Sequence, residues 1–169
     1  MSMVETALSI KTFGAPVIRK RARPVQNLNE RYRTVISSMA GLMYDAGGIG
    51  LAAPQVGILR AIIIADIGSG LYKLVNPRIV KRSGSQVNQE GCLSVPGFNA
   101  TVVRPSRVVL KGLDRAGEEQ TIEGTDLLAR AFQHEMDHLD GRVFVDRLRG
   151  IQRDLIVRRI RKLTRAGKW

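Results

Sequence analysis

His134, Glu135 and His138 stand within QHEMDHLDG (133–141). Two histidines four residues apart project from nearly one face of a helix and can share a metal ion. Glu135, beside them, can lean toward an open coordination position and take a proton from water there, as in the HExxH hydrolases. A catalytic metal usually keeps three protein ligands and one open position. The chain has only two histidines, so the third ligand must come from elsewhere. The plainer reading makes both histidines hydrogen-bonded core residues. Glu135 between them and Asp137 alongside weigh against it.

The single cysteine, Cys92 in EGCLS (90–94), can supply the missing ligand. A thiolate there completes a Cys/His/His set and leaves one position for water. A buried, inert thiol is the commoner fate of a lone cysteine, and spacing alone does not refute it. A cysteine nucleophile with a histidine base fits less well, because both histidines already sit at metal-binding spacing. A thermolysin-like site would take its third ligand from a carboxylate, Glu90 or Asp140, and would leave Cys92 without a role. A purely structural zinc would need a fourth ligand, and there is no further Cys or His to provide it.

The elements that must position these residues follow from periodicity and capping. Tyr32, Val35, Ile36, Met39, Leu42, Met43 and Ala46 recur at helical spacing, and Gly47-Gly48 gives a natural stop. The segment from Gly48 to Gln55, rich in Gly and holding a Pro, reads as irregular backbone in close packing. Short β-type runs follow at 60–66, 71–75 and 107–114, the last turning through Arg115-Ala116-Gly117 into a partner at 119–122. Thr125 is placed to cap a second long helix through Leu139, which carries the histidines and has apolar residues all round, as a central helix does. A last helix, roughly Arg147 to Arg165, has Ile151, Leu155, Ile156, Ile160 and Leu163 as its apolar stripe and arginines elsewhere, the pattern of a surface helix. The order of elements predicts an α+β fold: mainly antiparallel or mixed β-sheets around a central helix carrying HExxH, plus the C-terminal surface helix.

The whole-chain quantities agree with an enzyme of this kind. At 169 residues one domain spanning 1–169 is expected, large enough to bury a core without disulfides or a structural metal. No apolar run approaches membrane-spanning length, and MSMVETALSIKTFG lacks the pattern of a secretory signal, which makes a cytoplasmic location the default. The net charge of +12 is uneven: residues 146–169 carry +7 and residues 1–145 carry +5. A basic tail of this kind suggests an anionic partner without identifying a reaction.

Three segments together, GIGLAAPQ (48–55), EGCLS (90–94) and QHEMDH (133–138), resemble in order and separation the three motifs of the peptide deformylases, and FGAPVIR (13–19) is similar as well. The resemblance covers most of the chain. It implies one divalent metal on Cys92, His134 and His138, Fe2+ in many bacterial members and replaceable by Ni2+, Co2+ or Zn2+. It also implies Glu135 as general acid and base, with the Gln55 side-chain amide and the Leu93 backbone N–H as donors to the charged oxygen. Read singly, Gln55 would be a polar cap on a turn and Leu93 a core residue.

By the same resemblance Ile49, Gly50 and Gly91 line the bound peptide backbone, and Leu127, Ala131 and His134 border a methionine pocket. Asp137 and Arg104 are candidates for an ion pair orienting the helix, of small worth if exposed. Asn99 is a departure, since many members have Arg five residues after the serine of the second motif. The implied reaction removes the formyl group from the N-terminal formyl-methionine of nascent polypeptides as formate. The implied setting is the bacterial cytoplasm, although an organellar relative would read alike, with no membrane partner and with ribosomal RNA as partner of the basic tail. The competing readings are an HExxH metallopeptidase and a basic ribosome- or RNA-binding module with a structural metal.

Overall fold

A computed structural model describes residues 7–169; the first six residues of MSMVETALSIKTFG lie outside them. In chain order the elements are α1 (Glu30–Asp45), β1 (Gly50–Ala52), β2 (Ile62–Ala65), β3 (Tyr72–Ser83), β4 (Gln86–Cys92), β5 (Val95–Arg104), β6 (Arg107–Leu113), β7 (Glu119–Thr125), α2 (Asp126–Leu139) and α3 (Ile151–Arg165). Single 3-10 turns stand at Pro16–Arg19, Ala53–Val56 and Phe144–Arg147. The α+β expectation is met. Strands β1-β2-β3-β6-β7 form one sheet and β4-β5 a two-stranded ribbon, and every strand pair is antiparallel.

The five-stranded sheet is buried on both faces at β1 and β2, which explains why β2 reads as the unbroken run Ile62-Ile63-Ile64-Ala65. Alternation sends Leu51, Ile62 and Ile64 toward α1, where they meet Ile36, Met39 and Met43. It sends Ala52, Ile63, Ala65 and Leu74 toward α2, where they meet Leu128, Ala129 and Phe132. Helix α2 is thereby central, with eleven of its fourteen residues buried. Its first half also lies hard on β7: a Cβ on Gly124 would come within 3.0 Å of the Phe132 ring and 3.2 Å of the Ala129 backbone nitrogen.

A third core joins the ribbon to the tail. Val95, Ala100 and Val102 of β5 pack with Ile18, Phe144, Val145, Ile156 and Ile160. Trp169 packs its ring edge-on against Phe98, with centroids 5.9 Å apart, and its indole N–H donates to the Phe13 carbonyl at 2.6 Å. The Phe13 N–H in turn donates to the Ser94 carbonyl at 2.7 Å.

Several sequence expectations are corrected. Gly48 to Gln55 is more regular than its composition suggests, forming β1 and a 3-10 turn. The ribbon β4-β5 went unread, because Gly91, Pro96, Gly97 and Asn99 interrupt its alternation. Thr125 precedes α2, but its side chain makes no capping hydrogen bond; Asp126, at φ 49°, takes the turn into the helix. Helix α3 starts at Ile151, not Arg147, because Gly150 at φ 63° breaks the chain after the 3-10 turn that holds Arg147. Of the expected stripe, Ile156 and Ile160 are buried, whereas Ile151 and Leu155 are 76% and 56% exposed. The docking face is thus one turn of helix, narrower than the apolar residues imply.

Candidate metal centre

Helix α2 presents His134 and His138 one turn apart, with their Nε2 atoms 3.3 Å from each other. Cys92 arrives from the end of β4, where a register shift between Gly91 and Cys92 re-aims the chain, as a bulge does. Its Sγ lies 3.3 Å from His138 Nε2, and the three donor atoms all lie within 4.8 Å of one another. The Cys92 thiol is therefore no isolated core filler. A thiol and two imidazole nitrogens converging on one point form a donor set that suits Fe(II), Zn, Co or Ni.

Two more observations fit a metal here. His134 Nδ1 is 3.1 Å from Glu90 Oε2, which leaves Nε2 turned to the cluster. Among the described residues, the buried side-chain polar atoms without a hydrogen-bond partner are Glu135 Oε2, next in the chain to His134, and His138 Nδ1, the ring nitrogen not turned to the other donors. Such orphans are uncommon in protein interiors. Burial pushes the Glu135 carboxyl up to about 7, against the opposing pull of His134. For Glu90, burial also works upward, but the bonds and charges of Arg104 and His134 outweigh it and hold the carboxyl at about 2.

Gln55, fully buried in its 3-10 turn, is fixed at both ends of its amide. Its Oε1 accepts the Ala52 N–H at 2.9 Å, and its NH2 donates to Ser94 Oγ at 3.1 Å and faces Cys92 Sγ at 3.6 Å. Leu93 and Ser94 form the turn between β4 and β5. The Ser94 N–H points to Cys92 Sγ at 3.4 Å. Glycines allow these loops to close on one another. A Cβ on Gly48 would lie 2.7 Å from Leu93 Cδ1, and one on Gly50 would run into the Glu135 carboxylate.

A cleft of about 430 Å³ opens over the cluster. Ile49, Gly50, Gly91, Leu127 and Ala131 all line it, together with Gln55, Cys92, Leu93, His134 and Glu135. His138 lies behind this lining. Asn99 borders the cleft beside Gly91, which has no Cβ to displace the Asn99 Oδ1 from that place.

The Asp137–Arg104 pair is buried, which corrects the low value an exposed pair would have. Arg104 donates to Asp137 Oδ2 at 3.0 Å and forks onto Glu90, while Arg147 closes on Asp137 at 2.5 and 3.0 Å. Both Glu90 oxygens are thus engaged by Arg104, Arg130 and His134, and Glu90 is not among the converging donor atoms, against the thermolysin-like alternative. Asp140 is exposed and lies 3.6 Å from Arg21 Nε. Sequence reasoning assigned nothing to Ser94 or Arg130. A lone arginine inside the apolar stretch LLARAF (127–132) was the available signal for the latter.

The sequence profile of the family described as polypeptide deformylase matches residues 7–154. The chain belongs to that family. The peptide deformylase of Acetivibrio thermocellus is 48% identical over 151 residues, covering 89% of this chain and 89% of that relative. The crystal structure of the peptide deformylase from Legionella pneumophila superposes with a TM-score of 0.89 at 41% identity, covering 96% of this chain and 98% of that one. For the Thermotoga maritima peptide deformylase the TM-score is 0.82 at 40% identity, over 85% of this chain and 98% of that one. As a deformylase, the chain is a hydrolase that removes the N-formyl group from newly synthesised polypeptides; the family is metal-dependent, and the Cys92, His134 and His138 cluster could hold an ion. Among its described residues no helix is long and apolar enough to cross a membrane.

Proposed function

We propose that Cys92, His134 and His138 hold the single divalent ion of this deformylase and that Glu135 moves the proton. The supporting observation is the convergence of three donor atoms within 4.8 Å beside a buried carboxylate oxygen that no protein group occupies. An ion held there supplies Lewis-acid chemistry to hydrolysis of the formamide. Glu135 accepts a proton from the attacking water and returns it to the departing α-amine nitrogen. The Gln55 NH2, aimed into the cleft because its oxygen is engaged by Ala52, donates to the negative charge that develops on the formyl oxygen, joined by the Leu93 backbone N–H. Ile49, Gly50 and Gly91 offer the close backbone approach an extended peptide needs, and Leu127 and Ala131 offer apolar surface to the methionine side chain.

The donor set admits Fe2+, Ni2+, Co2+ or Zn2+ alike, and membership of the deformylase family supports Fe2+ as the ion, the others able to replace it. Iron bound beside a thiolate is open to oxidation, so the iron form should lose activity in air faster than the nickel form. Equal lifetimes in air would overturn the assignment of iron. Formyl-methionyl nascent chains as substrate, with bacterial relatives, support the bacterial cytoplasm as the place of work. The exposed arginines of α3 support ribosomal RNA as a docking partner by charge alone. The test of the central reading is anaerobically purified protein on a formyl-Met peptide, with amine release and metal content measured together. One metal per chain with turnover is expected; bound metal without turnover would overturn it.

A further inference from the structure

We infer that Arg130 is a positioning residue for the metal centre, holding the carboxylate that in turn holds the His134 ring. The inference rests on the metal reading above and extends it one shell outward. Arg130 precedes His134 by one turn of α2, so both side chains leave the same face of the helix toward Glu90. The residue is 4% exposed, and its guanidinium divides its donors three ways: Nη1 to Glu90 Oε1 at 2.6 Å, Nη2 to the Val102 carbonyl at 2.9 Å, and Nε to Gln86 Oε1 at 3.1 Å. Gln86 is fixed in turn, donating to the Asp126 carbonyl at 2.8 Å and the Pro105 carbonyl at 3.2 Å.

Glu90 is therefore gripped from two elements, by Arg104 of β5 and by Arg130 of α2, while its Oε2 faces His134 Nδ1 at 3.1 Å. A carboxylate with that many bonds has little freedom to rotate, and the imidazole that donates to it inherits the restriction. His138 has no such support, since its Nδ1 is without a partner. Of the two histidines, His134 is thus the one whose ring is held from behind by a polar partner. Stability alone is a poor reason for this arrangement, because desolvating a buried ion pair offsets most of the attraction it gains. Groups behind a metal's ligands set ligand orientation and basicity, and losing one typically costs 10- to 100-fold in metal affinity or activity.

Arg130 also borders the cleft, so the rival role is direct contact with substrate. Full-length Arg130→Gln and Arg130→Lys, loaded with Co2+, separate the two. For Arg130→Gln the expected results are an altered visible cobalt spectrum, about 10-fold faster loss of metal to a chelator and about 10-fold lower kcat, with KM changed less than about twofold. Arg130→Lys, which keeps the charge and one bond to Glu90, should recover part of the metal retention. A wild-type spectrum and chelator rate in Arg130→Gln would overturn the inference while leaving the metal reading intact. So would a raised KM with both of these unchanged. Wild-type protein that takes up no cobalt would overturn the metal reading, and this inference with it. Should Arg130→Gln not fold, Gln86→Ala loosens the same guanidinium without stranding a charge; it should shift the cobalt spectrum in a smaller degree, and an unshifted spectrum would overturn the inference.

Discussion

Glu135 and Cys92 differ in what the chain asks of them, and substitutions should separate the two. Glu135→Gln keeps the shape of a side chain whose Oε2 has no protein partner. Metal content should stay at wild-type level while turnover falls about 10²- to 10⁴-fold, the range of general acid–base assistance. A variant with near-normal rate would remove Glu135 from the reaction. Cys92→Ser replaces a thiolate by a neutral hydroxyl, a much poorer ligand. It should lose metal on dialysis, and unchanged stoichiometry would show that Cys92 is no ligand. At this scale the histidines and Glu135 are legible because their relation is local, one turn of helix. The approach of Cys92 is not, because it depends on a bulge at the end of a strand that the sequence does not announce. Arg130 is hidden for a related reason: its partners lie on β4 and β5, whose sequences carry no clear strand alternation.

Helices α1 and α2 are readable because burial on one face of α1, and on most of α2, leaves a periodic or near-continuous apolar signal over about four turns. The β4-β5 ribbon was not. It buries only alternate residues such as Ala100, Val102 and Arg104, and one of those is charged. An arginine on the buried face of a strand defeats a hydrophobic pattern, and only the carboxylates it meets explain it. The junction of β7 and α2 offers a test of how tightly the ligand helix is seated. Gly124→Val would press methyl groups on the Phe132 ring and the helix backbone. Overpacking of this kind should lower stability by about 1–3 kcal/mol in a denaturant titration. No loss of stability would mean that α2 can shift away from the sheet. Any such shift should also show as weaker metal retention, because both histidines ride on the helix.

For the whole molecule, the tail is the part where charge and structure give different instructions. Its net charge invited a reading as an RNA-binding appendage docked by a long stripe, yet Ile156, Ile160 and Trp169 close a core shared with Val95 and Phe98 beside the site. Truncation after Arg149 should therefore lower the melting temperature and reduce turnover of a free formyl-peptide, and unaltered values for both would show that the tail is dispensable to the fold. Removal of the helix is then a poor assay of ribosome docking. Replacing Arg158, Arg159 and Arg161 by Gln leaves Ile156 and Ile160 in place. It should weaken co-sedimentation with ribosomes and flatten its salt dependence while free-peptide turnover stays within about twofold, since phosphate contacts supply salt-dependent affinity. Equal binding across the salt series would make α3 a brace and nothing more.

The Phe13 backbone joins the two ends of this arrangement, giving its N–H to Ser94 and its carbonyl to the indole of Trp169. Trp169 is the only tryptophan in the chain, so intrinsic fluorescence carries one address. Its ring leans on Phe98, which is itself part of the cleft wall. Emission excited at the indole band thus watches the entrance to the site from behind, without a label or a mutation. A peptide that moves Phe98 on entering should change the emission in proportion to occupancy, which makes binding measurable under conditions where no turnover occurs.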